Sequence, residues 1–110
     1  GAVSRWGGAE IGCRQAVGGL GEGVRLERDG LFAWYNRGNI YVILHEYDKA
    51  QEAYSQAIRI DAHFPDAYYN RGVVRLMDGN SADGLSDLSQ AGEYGLYGAY
   101  SLIKRFSKAK

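Results

Sequence analysis

The sequence YNRG stands at residues 35–38 and returns, letter for letter, at residues 69–72, which is 34 positions later. The flanking residues keep the same register, since Trp34 aligns with Tyr68 and Ala57 aligns with Ala91. Residues 31–64 and 65–98 are therefore interpreted as two copies of one unit. The structure predicted for one copy is expected in the other as well.

Two helices are predicted in each copy. Apolar residues of the first copy recur every three or four positions, which is the period of an amphipathic helix. Interruptions are predicted around His45 in the first copy and around Gly79 in the second. Asn80 is a suitable N-cap, and Pro65 suits the first turn of a helix.

This pattern resembles the tetratricopeptide repeat, a 34-residue helix-turn-helix with preferred residues at positions 4, 8, 11, 20, 24 and 27. The residues that carry the resemblance are Trp34, Gly38, Tyr41, Ala50, Tyr54 and Ala57 in the first copy and Tyr68, Gly72, Leu88 and Ala91 in the second. The second copy departs from the pattern at Arg75, where the family has Tyr, and at Gly84, where it has Ala. The resemblance implies an all-α fold, an α-solenoid of antiparallel helix pairs.

The repeat positions alternate small and large side chains for a steric reason. Glycine and alanine let two helix axes approach, and the aromatic residues fill the remaining space. Gly84 is expected to be a weak point of its helix, so that Gly84→Ala is expected to stabilise the protein by about 0.5 to 1 kcal/mol.

Two segments flank the repeats. Nine of the sixteen glycines lie in residues 1–30, which reads either as a degenerate half-repeat, with a helix at about residues 10–27, or as a disordered lead. Residues 99–110 are predicted to form a capping helix, because a solenoid needs a polar outer face at its end. The predicted organisation is thus 1–30, repeat 31–64, repeat 65–98 and cap 99–110.

Charge and composition exclude several classes of function. Thirteen basic residues balance thirteen acidic ones, so nucleic acid is not expected as a partner. Membrane insertion is not expected either, because no apolar run approaches the roughly 20 residues that span a bilayer. Cys13 is the only cysteine, which favours a reducing, cytoplasmic setting without deciding the compartment.

No arrangement of residues points to catalysis. The glycine-rich residues 18–24 match no phosphate-binding motif, and His45 and His63 have no metal-ligand spacing around them. Cys13 has only Arg14 beside it as a basic neighbour. We therefore expect no enzyme activity, no cofactor and no metal. The least favoured alternative is a hydrolase or transferase that uses Cys13 or the histidines.

A binding surface is the remaining hypothesis. In the tetratricopeptide family the first helix of each repeat lines a concave groove, and the resemblance implies that protein or peptide partners bind there. The corresponding residues of this sequence are Phe32, Tyr35, Asn39, Tyr69, Asn70, Val73, Met77 and Tyr100. Tyr35, Asn39 and Tyr69 are expected to point away from the helix-pair core, so that their replacement leaves stability unchanged.

The identity of the partner stays open. One branch of the family holds the terminal carboxylate of heat-shock chaperones with a basic clamp, and Asn39 and Asn70 match its asparagines. Tyr35 and Tyr100 stand where lysines are needed, and Lys104 stands where arginine is needed, so an apolar or aromatic peptide suits this groove better. The alternative is a structural fragment of a longer array that self-associates, and a homodimer is one expectation of it.

Overall fold

The computed structural model describes the backbone of residues 20–109 and the side chains of residues 27–108. Within this part of the chain every regular element is a helix. The helices are α1 (Leu20–Ile43), α2 (Tyr47–Ile60), α3 (Pro65–Met77), α4 (Ser81–Glu93) and α5 (Gly98–Ala109). Each helix packs against the next, and α1 also contacts α3. The fold is an all-α solenoid, as predicted.

The helix ends follow local sequence signals. The predicted interruptions around His45 and Gly79 are confirmed, and both residues have a positive φ, of 61° and 90°. Pro65 begins α3. Asn80 caps α4, because its side-chain oxygen accepts from the Asp83 backbone N–H at 3.5 Å.

Of the four connections between the described helices, three close in the same way. The backbone N–H of Glu46 donates to Tyr41 O at 2.8 Å, and the equivalent bonds run from Asn80 to Arg75 and from Leu96 to Ala91. In each case the residue before the donor has a positive φ; at the third connection this is Gly95, at 112°. This pattern is the Schellman motif, which satisfies the last carbonyls of a helix.

Helix α1 begins upstream of the first predicted repeat. It runs without a break from Leu20 through residue 31 to Ile43, over 24 residues, whereas α2 has 14. Residues 20–27, which the sequence places near the end of a separate helix, are thus the first turns of α1. The rest of that predicted half-repeat lies outside the described residues, and the repeat boundaries 31–64 and 65–98 stay a prediction.

The core lies between successive helix pairs in three clusters of buried residues. Their members are Leu31, Ala57 and Ala67; Ala50, Tyr54 and Val74; and Leu88, Ala91 and Ala99. Tyr54, Leu88 and Val74 are the largest fully buried side chains. Burial of a side chain of this size contributes about 1.5 to 3 kcal/mol, so these residues dominate the stabilisation.

Two helix pairs approach so closely that only glycine fits. A Cβ at Gly38 would lie 2.5 Å from the Tyr54 ring, which packs against the α1 backbone. Gly72 and Gly84 face each other between α3 and α4, and a Cβ on either would lie 2.8 Å from the other residue's carbonyl oxygen. The aromatic ring and the paired glycines thus set the helix separations.

The expectation for Gly84 is wrong for this reason. Gly84 is helical and buried, but a Cβ there would also meet Leu76 at 2.9 Å. The Gly72 carbonyl cannot yield as a flexible side chain could, so the steric clash outweighs the gain in helix propensity.

We predict that Gly84→Ala lowers the free energy of unfolding by about 1 to 3 kcal/mol, the usual cost of overpacking. Gly98→Ala is the matched control, because it also adds one methyl group to a helical glycine but has no atom within 4 Å of the new Cβ. Urea denaturation of both variants measures the difference. Stabilisation by Gly84→Ala would show that α3 and α4 are further apart than described.

Candidate functional site

The eight groove residues predicted from the sequence are called the predicted binding face: Phe32, Tyr35, Asn39, Tyr69, Asn70, Val73, Met77 and Tyr100. They lie on α1, α3 and α5. The members on α1 and α3 touch directly. The Asn70 side-chain N–H group donates to the Tyr35 hydroxyl at 3.1 Å and to Asn39 Oδ1 at 2.9 Å.

These residues differ in their accessibility. Phe32, Met77 and Tyr100 are 45%, 49% and 42% exposed, one on each of the three helices. The other five members of the face are half-buried. Tyr69 and Val73 pack against the cluster around Leu88. Three side chains are therefore free to meet a partner with much of their surface, and five mainly support them.

A hydrogen-bond network fixes the centre of the face. The Tyr54 hydroxyl, on α2, donates to Asn39 Oδ1, which also accepts from Asn70. Burial raises the pKa of Tyr54 to about 12, although its side-chain hydrogen bonding opposes the shift. Tyr54 is 1% exposed, so without Asn39 its hydroxyl would be buried without an acceptor.

This network corrects one prediction from the sequence. Tyr35 and Asn39 were expected to point away from the helix-pair core, yet both take part in contacts with α3. Tyr35 also packs against two of the buried clusters. Replacing these residues therefore weakens the fold, and they are poor choices for separating binding from stability.

A row of aromatic rings extends the face toward the α2–α3 connection. The Phe32 ring meets Phe64 at a centroid distance of 6.0 Å, and Phe64 meets Tyr35 at 5.3 Å, both edge to face. Tyr35 in turn lies 5.9 Å from Tyr54. Phe64 was not among the residues predicted from the sequence, and the available signal was an apolar residue directly before Pro65. The row holds Phe32 in place at one end of the face.

At the other end, α5 supplies Tyr100. Its ring covers Gly92 of α4, where a Cβ would lie 2.5 Å from the ring. The hydroxyl donates to Glu93 Oε2 at 3.1 Å. Tyr100 is thus held from both sides while 42% of its surface stays accessible.

A second polar cluster, away from the predicted binding face, was also missed. Asp87 is 6% exposed and accepts from Arg71 Nε at 2.8 Å, Arg71 Nη2 at 2.9 Å and Arg75 Nη1 at 2.8 Å. Arg71 also donates to Ser55 of α2 at 3.0 Å. The carboxylate is surrounded by donors, so the cluster joins α2, α3 and α4.

The described residues contain no group of three or more His, Cys, Asp or Glu side chains that could hold a metal ion. His45 contacts Tyr47, and His63 stacks on Tyr94 at 4.8 Å. Cys13 lies outside the described residues. Among the described helices, none has the length and hydropathy to cross a membrane.

A family model described as TPR repeat matches residues 38–79, which include α2 and α3 completely. The helix pairs, the glycines at Gly38 and Gly72 and the buried Tyr54 agree with this match. The resemblance to the tetratricopeptide repeat is thus supported by the match over residues 38–79 and by the packing of successive helices.

One relative is the Photosystem I assembly protein Ycf3 of Acaryochloris marina (strain MBIC 11017), which is 29% identical over 80 residues. The matched part is 70% of this chain and 48% of that protein. The chain thus spans about half the length of this relative.

The tetratricopeptide positions of the chain build the helix contacts. The buried ones are Gly38, Ala50, Tyr54, Ala57, Gly72, Leu88 and Ala91, and the half-buried ones are Trp34, Tyr41 and Tyr68. Tyr68 donates its hydroxyl to Ala62 O at 3.0 Å. Arg75, which replaces the family's tyrosine, belongs to the Asp87 cluster, so this departure adds an interhelical contact.

The residues at the positions of the chaperone clamp are already engaged. Asn39 and Asn70 are bonded to each other, and Tyr35 takes the lysine position with a hydroxyl bonded to Asn70. Tyr100 takes the other lysine position and bonds the acidic Glu93. A carboxylate terminus would meet Glu93 there instead of a lysine.

We predict that Asn39→Ala lowers the free energy of unfolding by about 1 to 3 kcal/mol, because it leaves the Tyr54 hydroxyl buried without its acceptor. Adding Tyr54→Phe to this variant should cost less than Tyr54→Phe alone, since the orphaned hydroxyl is removed. Gln56→Ala, which removes a surface bond to Glu52, is the control. Additive effects in urea denaturation would contradict the network.

We also predict a loss of stability between about pH 10 and pH 12 that depends on Tyr54. The unfolded chain releases a tyrosine proton near pH 10, whereas folded Tyr54 keeps it to about pH 12. The stabilisation is therefore complete below pH 10 and is lost as the pH rises through this window. Unfolding at pH 9.5, 10.5 and 11.5 should show a shallower decline for Tyr54→Phe. Equal slopes would exclude Tyr54 as the source.

Proposed function

We propose that the chain is a non-catalytic protein-interaction module that binds a segment of a partner protein across the predicted binding face. The match to the tetratricopeptide repeat supports a role in protein interaction, and the name of the Ycf3 relative supports a role in assembly. Photosystem I is named for that relative and is not assigned to this chain. For this chain the proposal is a module that holds one subunit or segment during assembly of a larger complex.

The observation that carries the proposal is a set of three accessible side chains, two of which are held in place by neighbouring residues. Phe32, Met77 and Tyr100 are each between 42% and 49% exposed. Phe32 rests against Phe64, and Tyr100 is held by Gly92 and Glu93. Anchors that are already ordered lose less conformational entropy on binding, so this arrangement suits recognition.

The side chains define the chemistry of the partner. Two aromatic rings and a thioether offer apolar area, and the Tyr100 hydroxyl adds one polar tip. Glu93, beside Tyr100, disfavours an acidic residue at that end. The partner segment should therefore present two or three apolar or aromatic residues and no carboxylate near α5.

Self-association through the same face is the alternative from the sequence, in which the chain is a structural fragment of a longer array. The two hypotheses differ in the expected effect of changes in this face. Under self-association such changes break the oligomer, whereas under the proposal they release a foreign protein. The proposal is favoured because only three of the eight residues on the face are well exposed. That leaves a narrow contact surface for a second folded chain.

The test is a comparison of partner capture by the full chain and by the triple variant Phe32→Ala, Met77→Ala and Tyr100→Ala. We expect the triple variant to lose captured proteins by more than about tenfold, since anchor residues typically contribute 1 to 2 kcal/mol or more each. The control is Tyr97→Ala, which removes an aromatic side chain that is 74% exposed but lies outside the face. Quantitative mass spectrometry of cross-linked extracts gives the measurement.

Loss of Phe32 or Tyr100 also removes packing contacts, so circular dichroism and melting curves accompany each variant. Met77→Arg provides a second variant, because it places a charge on the face at a residue that is 49% exposed. If the triple variant and Met77→Arg retain the same proteins as the unaltered chain and the Tyr97→Ala control, the binding surface lies elsewhere.

A further inference from the structure

Helix α1 carries an accessible stripe on the side away from α2, which we call the α1 edge: Asp29, Ala33, Asn36, Arg37 and Ile40. These residues follow one another at three- and four-residue spacing and therefore share one face of the helix. Ile40 is 55% exposed, and Ile43 and Leu44 at the end of the stripe are 75% and 55% exposed. Three exposed apolar side chains at one end of a polar stripe indicate a contact surface.

The internal repeat indicates how such a surface is used. The counterparts of the α1 edge on α3, 34 residues later, are Ala67, Asn70, Arg71 and Val74. Ala67 is 0% and Val74 1% exposed.

These α3 residues form the surface that packs on the preceding helix pair. Asn70 bonds α1, and Arg71 bonds Ser55 of α2. Val74 packs with Ala50 and Tyr54 of α2. The asparagine and arginine of the second YNRG are thus docking residues, and those of the first YNRG stand at the same place on α1.

The geometry of α1 favours cover from a second chain. Between α2 and α3, and between α4 and α5, four residues connect one helix pair to the next helix. The stretch directly before residue 31 is instead part of α1, which continues back to Leu20. At the position where a short connection joins the other helices of the stack, the chain before residue 31 is helical.

We propose that the α1 edge binds the α1 edge of a second copy, with the two helices antiparallel and crossing at Ala33. Asp29 and Arg37 lie four residues on either side of Ala33. A twofold axis at Ala33 therefore places Asp29 of each copy near Arg37 of the other. The small Ala33 allows close approach at the crossing, and Ile40 leaves water on both sides.

The dimensions of α1 fit this arrangement. Its 24 residues make a helix about 36 Å long, and Ala33 lies close to its middle. Asp29 and Arg37 are both exposed, and Arg37 stacks on Trp34 at 4.8 Å, which orders its side chain before association. The proposal uses none of the residues of the predicted binding face, so it stands or fails independently of the proposed function.

Sedimentation equilibrium of the full chain over a range of concentrations tests the proposal. The unaltered chain should dimerise, and Ile40→Asp should raise the dissociation constant by more than about tenfold, because it places a charge in an apolar contact. Asp29→Arg and Arg37→Asp should each weaken the dimer. The double variant Asp29→Arg with Arg37→Asp should restore it to within about threefold, because the charges then pair again.

Met77→Asp is the control, since it adds the same charge at an exposed residue of the predicted binding face. It should leave the dimer intact, and melting curves should show that all variants are folded. A chain that remains monomeric overturns the proposal, and if removal of residues 1–19 then produces a dimer, that segment is the cover. A dimer that resists Ile40→Asp, or charge reversals that the double variant does not repair, also overturns it.

Discussion

The hydrogen bond from the Asn70 side-chain amide to Asn39 is the contact on which the rest of the stack depends. It reaches from α3 to Asn39 of α1, and the same Asn39 oxygen receives the Tyr54 hydroxyl from α2. Three helices thus meet at one acceptor in a largely buried place, where an unmade hydrogen bond is costly. Because Asn39 and Asn70 also belong to the predicted binding face, the surface that we propose for recognition is shaped by the contacts that stabilise the stack.

The elements that could be predicted from the sequence are those fixed by neighbouring residues. The helix ends near His45, Gly79 and Pro65 follow from local backbone preferences, and the repeat register identifies the helix pairs. Tyr35 and Asn39 were misjudged because the period of one helix shows only which side faces its immediate partner. The part of α1 that carries Tyr35 and Asn39 is contacted by α3, and no pattern within 34 residues contains that information.

Two departures from the family pattern show the same limit. Gly84 and Arg75 each look unfavourable when compared with the preferred residue at their own position. Gly84 fits because Gly72 faces it, and Arg75 fits because the carboxylate of Asp87 lies between two arginines. Each departure is compensated by a residue of another helix. A comparison with the family pattern at one position at a time cannot reveal this compensation. One reading of the sequence placed a separate helix at about residues 10–27, and its continuity with α1 was missed because the glycines before residue 31 argue against an unbroken helix.

The shared closure of three helix ends has a consequence for the folding pathway. The bonds of Glu46, Asn80 and Leu96 each join residues five positions apart, so they require little loop-closure entropy. The α2–α3 connection has no such motif, and α3 is held to α1 by the distant pairing of Asn70. Contacts within each helix hairpin join residues that are close in the sequence, whereas contacts between hairpins join residues that are far apart in it. We therefore expect the two helix pairs to form first and to dock afterwards. The docking of preformed hairpins is then the slow step of folding.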